Sequence, residues 1–102
     1  MYWKREGKIM TKVNHDTIND ACFDLAEILR KKNDDYGNSF EKQYDEYGLL
    51  HVVWRIEDKL NRLKNLLNND PQFVEESIED TLTDIAGYST IAKIILSECD
   101  GI

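Results

Sequence analysis

The chain has 102 residues, 41% of them hydrophobic, and a formal charge of −7. That length and hydrophobic fraction suit one globular domain with a modest core, and they argue against wholesale disorder. The acidic balance argues against a general nucleic-acid or anionic-membrane surface, because phosphate binding needs clustered Lys and Arg side chains.

The first twelve residues are polar, basic and aperiodic, so we expect a flexible N-terminal arm ahead of a single domain over residues 13–102. No signal-peptide pattern and no apolar run of membrane-spanning length is present, which predicts a cytoplasmic protein. Cys22 and Cys99 lie far apart without a CxxC pattern, as is typical of ordinary thiols in a reducing compartment.

A first helix is predicted to begin at Asn14 or Asp16, either of which can cap it, and to end at about Lys32. Its apolar stripe at helical spacing consists of Ile18, Cys22, Leu25 and Leu29. The polar segment Asn33 to Ser39 then predicts a turn, with Gly37 as the breaker. Its side chains are suited to contact a nucleotide sugar or phosphate, and a plain interhelical loop is an equally good interpretation.

Phe40 to Tyr47 predicts a short helix that ends at Gly48. A second long helix follows from Leu49 to Leu67, with an apolar stripe at Leu49, Val52, Ile56, Leu60, Leu63 and Leu67. Its opposite side carries Leu50 and Trp54 beside two carboxylates. This pattern indicates a second buried face and a self-associating bundle, and a tolerated surface Trp is the alternative.

The third long helix is predicted to begin at Asp70 or Pro71 and to reach about Glu98. Its apolar stripe consists of Val74, Ile78, Leu82, Ile85 and Ala92. Glu76, Asp80 and Asp84 recur at every fourth position, so their carboxylates lie along one edge and repel each other. No segment alternates with period two, and the fold class is therefore all-α.

A bound cation, Mg²⁺ or Mn²⁺, is one explanation for these three stacked carboxylates. The alternative is a solvated acidic helix start, which the helix macrodipole favours. The cation explains Asp84 better, because Asp has low helix propensity and this position lies deep in the helix.

Three stretches follow one another in the chain: KKNDDYGNSFEK (31–42), GLLHVVWRIEDKLNRLKNLL (48–67) and EESIEDTLTDIAGY (75–88). Together they resemble a phage and bacterial family called nucleotide modification associated domain, and the resemblance runs from about Lys31 to Ile95. That family is similar to the all-α nucleoside triphosphate pyrophosphohydrolases of the MazG and dimeric dUTPase type. The resemblance implies a MazG-like bundle of three main helices and a short one. The second apolar face described above predicts that self-association into a dimer or tetramer completes this bundle.

The resemblance also implies an activity, the Mg²⁺-dependent conversion of an NTP or dNTP to a monophosphate and pyrophosphate. Glu57, Asp80 and Asp84 would hold the metal, and Glu57, Asp58 and Glu76 would be the catalytic carboxylates. The usual family pattern is an ExxE pair followed by an ExxD pair. Here Glu57 and Asp58 are adjacent, and the later acids are spaced by four, so both pairs depart from the pattern.

The residues expected to contact the nucleotide are polar, cationic or aromatic. They are Lys31, Asn33, Asp35, Tyr36, Asn38, Ser39, Trp54, Arg55, Lys59 and Arg62. The cations would neutralise phosphates, and Trp54 or Tyr36 would stack on the base. Two other functions are open, both for a phage protein in the host cytoplasm. One is sequestration of a nucleotide defence signal, and the other is binding of a host defence protein.

Overall fold

The computed structural model of the chain describes residues 12–36, 38–68 and 71–98, and for Tyr36 and residues 71–76 it describes the backbone alone. The helices are α1 (His15–Tyr36), α2 (Ser39–Tyr47), α3 (Leu49–Leu66) and α4 (Pro71–Glu98). No strand occurs in these ranges, which confirms the all-α fold. The helices found there include none long and apolar enough to cross a membrane. Nearly all of the predicted N-terminal arm lies outside the described residues.

Local side-chain and backbone chemistry sets the predicted helix ends. Asn14 caps α1, because Thr17 N–H donates to Asn14 Oδ1 and Asn14 N–H donates to Thr17 Oγ1, each at 2.9 Å. This reciprocal pair satisfies two backbone donors that the first turn leaves open. Gly48 separates α2 from α3 with φ 69°, a left-handed conformation that glycine adopts without strain. Its N–H donates to Tyr44 O, which confirms Gly48 as the end of α2.

The predicted turn from Asn33 to Ser39 is wrong in its first half, because α1 continues to Tyr36. Asn and Asp have low helix propensity, but packing of an amphipathic helix outweighs propensity. The last turns of α1 are held from outside, since Lys32 forms an ion pair with Asp84 of α4. Gly37, the predicted breaker, lies outside the described residues.

The core lies between α3 and α4, which share the most extensive helix contact, while α1 packs more lightly on α4. Among the described residues the buried hydrophobic side chains are Val52, Ile78 and Ala92. The prediction that Leu82 belongs to the α4 stripe is wrong, because 51% of it is exposed while Thr81 is 1% exposed. Thr81 and Leu82 point about 100° apart, since each residue turns the helix by that angle, and it is Thr81 that faces the core. Thr81 tolerates burial because its hydroxyl donates to Ser77 O.

The crossing of α1 and α4 is close at Gly87. A β-carbon at this position would lie 2.9 Å from Leu29 Cδ2, inside normal contact distance. Glycine within a helix costs about 1 kcal/mol relative to alanine. The glycine therefore weakens α4 slightly but leaves room for Leu29, which is how α1 approaches closely enough to form one wall of a cleft.

We expect Gly87→Ala to raise the free energy of unfolding more in a Leu29→Ala background than in the parent protein. With Leu29 shortened, the helix-propensity gain of about 1 kcal/mol appears in full, whereas in the parent the leucine must shift, and overpacking costs about 1–3 kcal/mol. Urea denaturation of the four proteins of this cycle measures the difference. Equal increments in both backgrounds would contradict a close contact at this crossing.

Candidate functional site

A cleft of about 470 Å³ opens where α1, α3 and α4 meet, with the first residues of α2 beside it. Its charged lining consists of Lys32 from α1, Arg55 and Lys59 from α3, and Asp84 from α4. Among the described residues the cleft thus carries three cations and one carboxylate, within a chain whose formal charge is −7. The rest of the lining mixes polar side chains, such as Asn33 and Thr83, with apolar ones such as Ile28 of α1. The cleft therefore combines local positive charge with apolar walls.

Asp84 joins the three helices through two ion pairs. Lys32 Nζ donates to Asp84 Oδ1 at 2.7 Å, and Lys59 Nζ lies 2.9 Å from Asp84 Oδ2. Partial burial opposes ionisation of this carboxyl, but hydrogen bonds and charge from both ammonium groups outweigh burial and lower its pKa. Asp84 is therefore ionised at neutral pH, and both of its oxygens are occupied.

Arg55 is held in place from several sides. Its guanidinium lies 5.6 Å from the Phe40 ring centroid and 5.4 Å from that of Tyr88, both cation–π contacts. Its Nε donates to His51 Nε2 and its Nη2 donates to Gln43 Oε1. These contacts fix the planar group at the wall of the cleft before any ligand arrives, so less conformational entropy is lost on binding.

His51 supports this arginine from within the core. It is only 6% exposed, and its ring centroid lies 4.9 Å from that of Phe40. Because Nε2 accepts from Arg55, the neutral ring carries its proton on Nδ1, which has no hydrogen-bond partner among the described residues. Burial, and then the charge of Arg55, lower the pKa of His51. His51 is therefore a buried support for Arg55.

The structure gathers part of the predicted nucleotide-contacting set. Asn33, Ser39, Arg55 and Lys59 line the cleft. The exposed side chains of Lys31, Asp35, Asn38 and Arg62 are not part of its lining. Trp54 lies 46% exposed with its ring 5.8 Å from that of Tyr47, away from the cleft. The side chain of Tyr36 lies outside the part of the chain that the structure describes.

The predicted metal ligands are not brought together. Asp84 is engaged by two lysines, and Asp80 is exposed one turn earlier on α4. Glu57 and Asp58 are exposed on α3, where Glu57 points roughly 140° away from the buried Val52. Among the described side chains no three His, Cys, Asp or Glu residues form a group that could hold a metal ion. The described donors therefore do not fit the expected Mg²⁺ site, and the side chain of Glu76 lies outside the description.

Sequence reasoning missed several residues that build the site. They are Lys32, Gln43, Phe40, Tyr88 and the supporting role of His51. The sequence prediction names Lys31 and not Lys32. Because neighbouring residues point about 100° apart on a helix, only Lys32 of the two lines the cleft. One signal was available, because His51 and Arg55 are spaced by four residues, which places them on one face of α3.

A family model described as nucleotide modification associated domain 1 matches residues 32–96. That match runs from Lys32 in the last turns of α1 to Leu96 in the last turn of α4, so it covers most of the cleft. The comparison with curated proteins found no match, and the comparison with solved structures found none.

We expect the free energy of unfolding to fall between pH 7.5 and pH 5.5 because of His51. The unfolded chain takes up a proton near the ordinary pKa of 6.5, whereas the folded state resists it, so lower pH favours unfolding. The loss is at most about 1.4 kcal/mol, the cost of leaving such a group neutral one pH unit below its unfolded pKa. Urea denaturation at both pH values measures it.

The matched variant is His51→Gln, which retains an acceptor for Arg55 but does not titrate, so its stability should change less over this range. Asp84 affects the free energy of unfolding in a lower pH range than His51 does. Its lowered pKa gives stability that is present above about pH 3.8 and is lost as the pH falls through the folded-state value. If the free energy of unfolding of His51→Gln fell as much between pH 7.5 and pH 5.5 as that of the parent protein, His51 would be ruled out as the source of the fall.

Proposed function

This chain belongs to the nucleotide modification associated domain 1 family, and we propose that it binds a nucleotide in the cleft between α1, α3 and α4. The observation that carries the proposal is the concentration of Lys32, Arg55 and Lys59 around one cavity of an acidic chain. A cytoplasmic location, the host cytoplasm for a phage-encoded copy, is part of the proposal.

The shape and chemistry of the cleft support a nucleotide as the ligand. Ligand pockets are commonly about 300–1,000 Å³ in volume, mostly apolar, with a few fixed polar groups. Here the ammonium groups of Lys32 and Lys59 would take the phosphate, and the preorganised guanidinium of Arg55 adds a planar donor. The rings of Phe40 and Tyr88, which line the same cleft, offer an apolar wall for the base or sugar.

Binding is the function that this geometry supports best. The pyrophosphohydrolase reaction of MazG-like enzymes, which would yield a monophosphate and pyrophosphate, additionally needs carboxylates that hold Mg²⁺ or Mn²⁺. The described residues do not assemble such a set. We therefore place sequestration of an intact nucleotide, such as a defence signal, ahead of hydrolysis. If no nucleotide binds, the remaining hypothesis is that the chain binds a host defence protein.

The test is incubation of the pure protein with nucleoside mono- and triphosphates, with and without Mg²⁺, followed by chromatography of the bound and free fractions. We expect an intact nucleotide to co-elute with the protein. Recovery of monophosphate and pyrophosphate from a triphosphate would instead establish the hydrolase. Absence of both retention and turnover would contradict nucleotide binding.

Lys59→Gln should weaken nucleotide binding by roughly ten- to a hundredfold, because a hydrogen bond to a charged group contributes about 1.5–3 kcal/mol. Titration calorimetry measures the dissociation constant. Lys64→Gln is the matched control, since it removes the same charge from an exposed position on α3 that does not line the cleft. Equal losses in the two variants would mean that general charge, and not the cleft, attracts the ligand.

We further propose that copies of this chain associate through the outer face of α3. Leu50, Val53 and Trp54 are each 46–51% exposed there, and Trp54 contacts Tyr47, the equally exposed last residue of α2. With Val52, Ile78 and Ala92 as the buried hydrophobic residues of the described chain, the core is small for this length. A second copy, as in a dimer or tetramer, would remove this apolar face from water.

Leu50→Gln should shift the protein toward monomer, because it places an amide in the centre of that apolar face. Sedimentation equilibrium gives the mass as a function of concentration. Leu82→Gln on α4 is the control, since this leucine is also 51% exposed but lies on another helix. A parent protein that is monomeric at all concentrations would refute the association.

A further inference from the structure

We propose that Asp84 is an internal counter-ion that occupies the phosphate position of the empty cleft, and that a phosphate dianion displaces it without any divalent cation. This inference rests on the proposed nucleotide binding. It assigns Asp84 a role opposite to the metal ligand that the sequence pattern indicates, and it names the ligand class as a phosphate monoester dianion.

The contacts of Asp84 are those that a bound phosphate would make. Its two oxygens each meet one ammonium group, Lys32 Nζ at 2.7 Å and Lys59 Nζ at 2.9 Å. The two lysines come from different helices and converge on this single carboxylate. An oxyanion bridging two ammonium groups therefore already exists in the cleft, and it is supplied by the protein itself.

A phosphate competes better for this position than a carboxylate does. A dianion carries twice the charge and offers three acceptor oxygens where Asp84 offers two. Arg55 is available as a third donor, since its Nη1 has no hydrogen-bond partner among the described residues while Nε and Nη2 are engaged. With three cations lining the cleft, neutralisation of a dianion needs no metal ion.

The negative charge of Asp84 has opposite effects in the empty cleft and in the occupied cleft. Without ligand, Asp84 keeps two ammonium groups from repelling each other and so stabilises the fold. With ligand, its negative charge lies beside the phosphate and weakens binding. If Asp84 were instead a metal ligand, its removal would weaken metal-dependent nucleotide binding and would not strengthen binding under any condition.

The experiment compares the parent protein with Asp84→Asn, and with Glu79→Gln as the charge-matched control from an exposed site on α4. A deoxynucleoside monophosphate and inorganic phosphate are titrated calorimetrically in EDTA and again in Mg²⁺, and thermal midpoints are recorded without ligand. The two ligands show whether the nucleoside contributes beyond the shared phosphate.

We expect the parent protein to bind the nucleotide equally in EDTA and in Mg²⁺. Asp84→Asn should bind it roughly tenfold more tightly and melt at a lower temperature, whereas Glu79→Gln should change neither value appreciably. The EDTA comparison uses the parent protein alone, so it remains decisive if the variant does not fold.

Loss of binding in EDTA, or weaker binding by Asp84→Asn, would overturn the counter-ion role and leave nucleotide binding standing. Absence of nucleotide binding by every protein, with or without Mg²⁺, would overturn the proposed function itself. The two failures are therefore distinguishable in one set of titrations.

Discussion

The pairing of Asp84 with Lys32 and Lys59 is the interaction on which the arrangement of this molecule most depends. It ties α1, α3 and α4 together at one point, and it is partly shielded from water. The apolar core of the described residues is small, and none of the α1 side chains that the structure describes is buried. The position of α1 therefore rests on this ion pair and on the close contact of Leu29 with Gly87.

Periodicity and capping chemistry predicted most of the fold. Gly48, Pro71 and the apolar spacing of α3 gave helix boundaries within one residue of those observed, because these signals act locally along the chain. The end of α1 was missed because it is decided by a contact with α4, 52 positions away from Lys32. A single sequence shows which face of a helix is apolar, but it does not show which helix covers that face.

The candidate site was predictable in part. The low helix propensity of Asp marks Asp84 as a position whose side chain calls for an explanation. The sequence groups Asp84 with Asp80 along one helix edge, whereas the structure pairs Asp84 with two ammonium groups. Spacing records the geometry of one helix, whereas the ammonium groups come from two others. Arg55 and Lys59, which the sequence analysis names, line the cleft, and so does Lys32 of α1, which it does not name.

The acidic net charge of the chain and the three cations of the cleft together bear on which phosphate ligand fits the proposed function. Charges further apart than about 8 Å are largely screened at physiological ionic strength. A small anion inside the cleft therefore responds mainly to Lys32, Arg55 and Lys59, which lie around it. A nucleic acid would extend across the surrounding surface, where the net charge of −7 repels its backbone. The charge distribution thus supports the proposed mononucleotide ligand over a polynucleotide, although both carry the same phosphate chemistry.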